Sequence, residues 1–236
     1  MTKQLFQHQT LGDLMAGYFD GTLTIEDLLK HGDTGIGSFH AFDGELIVLD
    51  GQAYQIKSSG EVLEVEPSQK TPYAAVSFFE PDHRINLNGI SSLSILRNTL
   101  TDKVKSPNVF SVFRIDGFFQ YVKTRAVEKQ NKPYPRIIEA TKVQPEFEAY
   151  NLEGTVVGIY TPKLFDGVSI AGYHSHFISA DRKFGGHVLD HQVMNARISI
   201  QTIDQLVQNF ATDHQEFMES SIDYGDLASE MNQAEG

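Results

Sequence analysis

The sequence contains no cysteine. This absence excludes disulfide bonds, thiolate metal sites and catalysis by a cysteine nucleophile. Positive charge is also scarce, because 19 Lys and Arg residues stand against 31 Asp and Glu residues and the formal net charge is -12. A negative field of this size repels phosphate backbones and anionic membrane surfaces. The composition therefore argues against nucleic-acid binding as the main function, and an anionic substrate needs a locally positive site.

Long apolar runs are missing as well. Residues 1–21 contain no apolar stretch of signal-peptide length, and no later segment approaches the length of a membrane span. We therefore expect a cytoplasmic protein. A Gly-rich phosphate loop and a β-α-β alternation are also absent, which argues against a nucleotide-binding Rossmann fold.

Short apolar runs separated by turn residues dominate the chain, and they predict a β-rich protein. The pairs Asp43-Gly44 and Asp50-Gly51 lie between apolar runs, as in consecutive β-hairpins. Residues 91–104 carry leucines at helical spacing and predict a helix. Residues 108–127 are expected to form two strands that meet near Asp116-Gly117, and residues 202–210 a helix.

The predicted fold is α/β of the α+β type, with two packed β-rich domains. Residues 1–135 are expected to form an N-terminal mixed-sheet domain with helices. Residues 136–236 are expected to form a β-barrel-like domain that carries a metal site and ends in a closing helix. The boundary lies among prolines between residues 130 and 145, and one continuous unit is the alternative.

Four of the nine histidines lie within the stretch GYHSHFISADRKFGGHVLDH, residues 172–191. Residues at i and i+2 of a strand point to one face, so His174 and His176 would project together. Residues 180–183 are polar and suit a hairpin loop, which would place His187 opposite His176. Three imidazoles would then converge on one face of one hairpin.

Three neutral nitrogen ligands with an open fourth position are typical of catalytic zinc, although imidazole also suits Fe, Ni, Cu and Co. Availability and precedent favour Zn²⁺. The alternative is that these are ordinary surface or core histidines. His191 would share the face of His187 in a regular strand, and we expect it to have a supporting or structural role.

The histidine-rich stretch resembles the zinc-binding signature of the α-acetolactate decarboxylase family. The segments LMAGYFDGTLT, HGDTGIGSFHAFDGELIVLDGQAYQ, YVKTRAVEKQNKPYPR and GTVVGIYTPKLFDGVSIAGYHSHF follow the pattern of that family in the same order. The resemblance covers nearly the whole chain, and the ordered set carries more weight than any single segment.

The resemblance implies positions for the functional residues. The metal ligands of the family fall on His174, His176 and His187. Its active-site glutamate falls on Glu45, in DGELIVLDG, and its arginine falls on Arg125, in KTRAVEKQ. A second glutamate of the family, near the C-terminus, matches Glu235, with Glu230 as the alternative.

The implied activity is metal-dependent decarboxylation of (S)-2-acetolactate to (R)-acetoin and CO2, in acetoin and 2,3-butanediol biosynthesis by a homodimer. The metal would act as a Lewis acid that stabilises an enediolate. Glu45 would transfer a proton or support the metal, and Arg125 would orient the substrate or stabilise the developing enediolate. No organic cofactor is implied.

Two rival classes share part of this pattern. Cupin-type metalloenzymes also use H-x-H on a barrel strand, but their next ligand is a glutamate where this chain has Asp181 in a predicted loop. PCC-type domains, which are DNA-associated binding modules, resemble the H-x-H…GGH arrangement. The net charge of -12, the missing basic segment and the long N-terminal half argue against the second class.

Overall fold

The computed structural model describes residues 2–104, 106–142, 144–223 and 225. The strands of the N-terminal half are β1 (Gln4–His8), β2 (Leu23–Thr24), β3 (Thr34–Ser38), β4 (Glu45–Leu49), β5 (Gln52–Ile56), β6 (Val62–Glu64), β7 (Lys70–Thr71), β8 (Ala74–Ser77), β9 (His83–Asn86) and β10 (Ile90–Ser92). The later strands are β11 (Ser111–Arg125), β12 (Glu146–Ala149), β13 (Leu152–Thr161), β14 (Gly172–Ser179), β15 (Gly185–Thr202) and β16 (Gln205–Asn209). The helices are α1 (Leu11–Met15), α2 (Ile25–Leu28), α3 (Leu93–Val104), α4 (Ile137–Ala140) and α5 (Gln215–Glu219).

A seven-stranded mixed sheet has the order β16-β1-β8-β3-β4-β5-β6. Strands β1 and β16 pair in parallel, and the other pairs are antiparallel. The β4–β5 hairpin turns at Asp50 and Gly51, which both have positive φ, as a type I′ turn requires. The predicted Asp-Gly turn is therefore confirmed at this position, and it fixes the register in which Glu45 begins β4.

A second sheet has the order β10-β15-β14-β13-β11-β12, with β9 paired to β15. Strands β11 and β15 also pair with each other, so the pairings connect β11, β13, β14 and β15 in a circuit. The described elements thus confirm a β-rich α+β fold with one mixed sheet and a second sheet. The two long strands β11 and β15 set the positions of Arg125 and His187.

The two sheets share a buried apolar core. Ile36, Ile47 and Leu49 from the first sheet pack in one cluster with Val157 and Ile178 from the second. A separate cluster lies between the other face of the second sheet and α3. It includes Leu96 and Leu100 of the helix and Phe119, Phe177 and Val193 of the sheet. Side chains that alternate along a strand therefore reach different environments: one face meets the first sheet, and the other meets α3.

The helix predicted for residues 91–104 is confirmed as α3. Two other local predictions are wrong. Residues 111–125 form one continuous strand through Asp116-Gly117, and residues 205–209 form β16, which pairs with β1. Among the described residues, no helix has the length and apolar character required to cross a membrane.

Sheet membership does not change at residue 135, because β9, β10 and β11 already belong to the second sheet and β16 belongs to the first. The division of the chain into two domains stays a prediction.

Candidate metal centre

The hairpin of β14 and β15 brings three histidines together. The register of the pair places His176 directly opposite His187, as the loop length predicted. His174 and His176 share one face of β14 with Ile178, which packs in the core between the sheets. The imidazoles therefore point toward the first sheet and not toward α3.

The ring nitrogens of these histidines are close enough to share one ion. One ligand atom from each of His174, His176 and His187 can be chosen so that all three atoms lie within 4.8 Å of one another. His174 Nε2 lies 3.1 Å from His187 Nδ1. Spacings of this size suit three nitrogen ligands around a single transition metal.

One contact fixes the tautomer of His176. Its Nδ1 lies 2.8 Å from the carbonyl oxygen of Leu46 in β4. A carbonyl can only accept, so Nδ1 carries the hydrogen and Nε2 keeps its lone pair. His176 Nε2 is buried and has no hydrogen-bond partner among the described residues. A buried lone pair without a donor is what a metal ligand presents before the ion binds.

Burial keeps the three imidazoles neutral. It lowers the pKa of His176 to about 4, and it lowers the pKa of His174 and His187 well below the usual value. The neighbouring imidazoles and the positive charge of Arg125 lower the pKa of His174 and His187 further. Neutral imidazole is the form that binds a metal, so the donor set fits an ion such as Zn²⁺.

The structure brings Glu45 to the same cluster from the other sheet. Its side chain is buried, and its Oε2 lies 3.4 Å from His176 Nε2. Glu45 shares a face of β4 with Ile47 and Leu49, which point into the core between the sheets. The β4 register therefore directs this carboxylate toward the histidines.

Arg125 ends β11 directly opposite His187 of β15. It lines one cavity together with Glu45, His174 and His187. Its guanidinium supplies positive charge at this site in a chain whose net charge is -12. The backbone of Gly186 in β15 packs closely against the carbonyl group of Arg125. A Cβ atom on residue 186 would lie 2.6 Å from the Arg125 carbonyl oxygen, and the φ of Gly186 is 136°, so this close approach requires glycine.

The remaining walls of this cavity are mostly apolar. They include Leu11, Leu14, Phe42, Val127, Ile137 and Ile170. The cavity thus combines charged and aliphatic lining groups, as sites for small molecules do.

Four polar residues of the cavity were missed by sequence reasoning: Ser38, Tyr73, Thr141 and Gln144. Ser38 lies opposite Glu45 in the β3–β4 pair, and Gln144 lies in the segment between α4 and β12. The predicted hairpins could have indicated Ser38 through its register with Glu45. No local pattern indicates the other three, because distant segments bring them to the cavity.

His191 does not share the face of His187, contrary to the sequence interpretation. The register of the β11–β15 pair shifts by one residue next to the metal site. Thr124 lies opposite Val188, but its neighbour Lys123 lies opposite Asp190, so β15 contains one extra residue at this point. The extra residue turns His191 to the α3 side, where its ring packs edge-on against Phe119. It is fully buried there, so a structural role fits and support of the metal site does not.

The two C-terminal candidates, Glu235 and Glu230, lie outside the described residues. Within the described chain, Arg136 Nη1 donates to the carbonyl oxygen of Asp223 at 2.8 Å. The next residue after Arg136, Ile137, lines the cavity. This hydrogen bond places Asp223 near the part of the cavity lining that Ile137 forms.

Comparison with known proteins gives a consistent result. The sequence model of the family described as alpha-acetolactate decarboxylase matches residues 5–224. The alpha-acetolactate decarboxylase of Lactococcus lactis subsp. cremoris is 42% identical over 236 residues, with 98% of each chain covered. That of Streptococcus thermophilus is 41% identical over 239 residues, again with 98% of each chain covered.

Solved structures show the same similarity. The alpha-acetolactate decarboxylase of Bacillus subtilis strain 168 superposes with a TM-score of 0.94 at 34% identity, and 99% of each chain is covered. A Staphylococcus aureus protein of unknown function, described as similar to alpha-acetolactate decarboxylase, gives a TM-score of 0.96 at 38% identity. That match covers 98% of this chain and 99% of the other.

Proposed function

Because the chain belongs to the alpha-acetolactate decarboxylase family, we propose that it converts (S)-2-acetolactate to (R)-acetoin and CO2, in acetoin and 2,3-butanediol biosynthesis. The chain is a decarboxylase, and its family supports acetolactate as the substrate. The observation that carries the proposal is a cluster of three neutral imidazoles in a member of this family, two of which line a small cavity together with Glu45 and Arg125.

His174, His176 and His187 would hold the metal, for which we propose Zn²⁺. Their neutral state and the free lone pair on His176 Nε2 support this assignment. When bound, the metal supplies a Lewis acid that stabilises the enediolate charge left on the ketone oxygen as CO2 departs.

Arg125 binds and orients the anionic substrate in our proposal. Its planar guanidinium can offer paired hydrogen bonds to substrate oxygens, and its charge offsets the acidic protein. A grip on the departing carboxylate alone would stabilise the ground state more than the transition state. Arg125 should therefore also contact oxygens on which charge develops.

Glu45 is the candidate for proton transfer to the carbon that loses CO2. Its buried carboxylate lies beside His176 and at the edge of the cavity, where it can hold or relay a proton. Because Glu45 has a fixed position in the cavity lining, it would deliver the proton from one direction. We keep Glu235, or alternatively Glu230, as a further acid because of its match to the family pattern.

We further propose a cytoplasmic homodimer, in which the second sheet forms the barrel-like, metal-carrying part of each chain. The two rival classes, a cupin-like metalloenzyme acting on another small oxo acid and a PCC-type DNA-associated module, are not favoured by the family match.

The decisive experiment measures acetoin formed from racemic 2-acetolactate by the purified protein, with metal content determined on the same sample. We expect acetoin formation that is lost with a chelator and restored by Zn²⁺. If acetolactate is not consumed above its spontaneous rate by metal-loaded protein, the proposal is wrong.

A further inference from the structure

Two buried polar atoms lie on residues that line the metal cavity and have no hydrogen-bond partner among the described residues. They are Ser38 Oγ and Gln144 Oε1. Ser38 is 3% exposed, and the Gln144 oxygen is itself inaccessible to solvent. Buried polar atoms are almost always paired, so an unpaired atom in a ligand cavity indicates a partner that arrives with the ligand.

The orientation of the Gln144 amide is fixed by its other end. Gln144 Nε2 donates to the carbonyl oxygen of Thr141 at 3.1 Å. The opposite orientation would place two acceptors against each other, because a carbonyl cannot donate. The unpaired atom is therefore the amide oxygen, which can only accept a hydrogen bond.

An atom that can only accept requires a donor on the ligand. The 2-acetolactate anion carries a carboxylate, a ketone and a hydroxyl, and only the hydroxyl can donate. Ser38 Oγ is less selective, because a hydroxyl can donate to the carboxylate or the ketone and can also accept. Of the two unpaired atoms, the Gln144 oxygen thus discriminates between ligands with and without the hydroxyl.

We propose that Gln144 Oε1 accepts a hydrogen bond from the 2-hydroxyl of the substrate and so selects 2-hydroxy-3-oxo acids over 3-oxo acids that lack this group. This inference rests on the proposed function. The discrimination arises because an analogue without the hydroxyl leaves the buried amide oxygen unpaired. The two kinds of acid carry the same methyl groups, so contacts with the apolar lining do not separate them.

The test compares Gln144→Met with the wild-type enzyme on two substrates. Methionine has a similar length but no amide oxygen. The substrates are 2-acetolactate and 2-methyl-3-oxobutanoate, which differ by the hydroxyl alone. We expect kcat/KM for 2-acetolactate to fall by about 10-fold to 100-fold and that for 2-methyl-3-oxobutanoate to change by less than about twofold. An equal fall for both substrates, or no fall for either, would overturn the proposal.

Two further variants separate recognition from folding. Gln52→Met is the matched control, since Gln52 Nε2 also donates to a backbone carbonyl, that of Ala53, but lies outside the cavity. It should leave the ratio of the two kcat/KM values unchanged. Gln144→Glu keeps an acceptor oxygen, and its added charge repels both anions equally. The substrate ratio should therefore survive in Gln144→Glu, and loss of the ratio would contradict the proposal.

Binding of unreactive acids distinguishes failure of this inference from failure of the proposed function. Calorimetry with 2-hydroxy-2-methylpropanoate and 2,2-dimethylpropanoate requires no turnover. We expect Gln144→Met to raise the Kd of the hydroxy acid about 10-fold and to leave that of the other acid unchanged. This pattern would support hydroxyl recognition even if acetolactate were not decarboxylated. Identical effects on both acids would reject it even in an active enzyme.

Discussion

Glu45 Oε2 lies 3.4 Å from His176 Nε2, although the two residues belong to different sheets. The contact would be an ion pair only if His176 were protonated, but burial lowers its pKa to about 4. At neutral pH the Glu45 carboxyl group therefore faces the lone pair of a neutral imidazole. A metal ion held by His176 Nε2 would therefore lie beside this carboxyl group.

Replacing His176 or His187 with Ala should remove most of the bound metal together with the activity. Each substitution deletes one of three nitrogen ligands, so metal affinity should fall more than about 10-fold. Elemental analysis of protein purified without chelators and offered zinc measures the metal per chain. We expect one ion in the wild type.

His83→Ala provides the matched control, because His83 is exposed and lies in β9, away from the cluster. It should retain the full metal content. Absence of metal from the folded wild-type protein would refute the site itself.

Glu45→Gln and Arg125→Lys should reduce kcat by about 100-fold or more while metal content stays close to that of the wild type. Glutamine removes the capacity to transfer a proton, and lysine loses the planar fork of donors. The measurements are kcat, KM and metal content on the same preparations. Lys57→Met is the control. Lys57 lies outside the cavity lining, and the substitution removes a charge that pairs with Asp43.

If both variants turned over at near the wild-type rate, Glu45 and Arg125 would have no part in the reaction. Loss of metal in Glu45→Gln would instead indicate that the carboxylate helps to hold the ion.

Because His191 is buried in its neutral form, we expect the free energy of unfolding to decrease as the pH falls below 6.5. Burial lowers its pKa to about 4, so the unfolded chain takes up a proton between pH 6.5 and 4 that the folded chain does not. The contribution to stability is complete above pH 6.5 and declines toward pH 4. Between pH 7 and pH 5 the free energy of unfolding should fall by about 2 kcal/mol from this residue alone.

His191→Leu should remove that part of the pH dependence, because both ring nitrogens lack partners among the described residues and leucine suits the site beside Phe119. Urea unfolding of the wild type and the variant at both pH values measures the difference. An unchanged pH dependence in the variant would show that His191 is not neutral in the folded protein.

Local sequence signals predicted the part of the site that one hairpin builds. The polar loop and the two-residue period placed His176 opposite His187, and the structure has this register. The same reasoning gave the wrong face for His191, because the register shift beside Lys123 turns its side chain to the opposite face of β15. A period of two holds only while the strand is regular, and nothing in GHVLDH marks the extra residue.

Long-range pairing explains the other differences. Residues 205–209 were interpreted as a helix, yet they pair with residues 4–8 from the opposite end of the chain. Asp116-Gly117 suggested a turn, but Gly117 lies within β11 where a Cβ would come 2.6 Å from a methyl group of Val193. Glu45, Arg125 and Gln144 share a cavity through contacts between segments, which local patterns do not encode.

The product of the reaction should be predominantly one enantiomer of acetoin, and the family resemblance indicates (R). After CO2 departs, the reactive carbon is planar, and it gains its configuration only when a proton arrives. Glu45, the proposed proton donor, lines the cavity at a fixed position, so it would deliver the proton to one face of that carbon only. Spontaneous decarboxylation in water lacks this bias and gives a racemate.

Chiral chromatography of fresh product, before acetoin racemises, measures the enantiomeric excess. In heavy water the same carbon should carry deuterium, as mass spectrometry would show. Racemic acetoin formed at an enzyme-dependent rate would mean that the intermediate leaves the cavity before protonation, and the roles assigned to Glu45 and Arg125 would then be wrong.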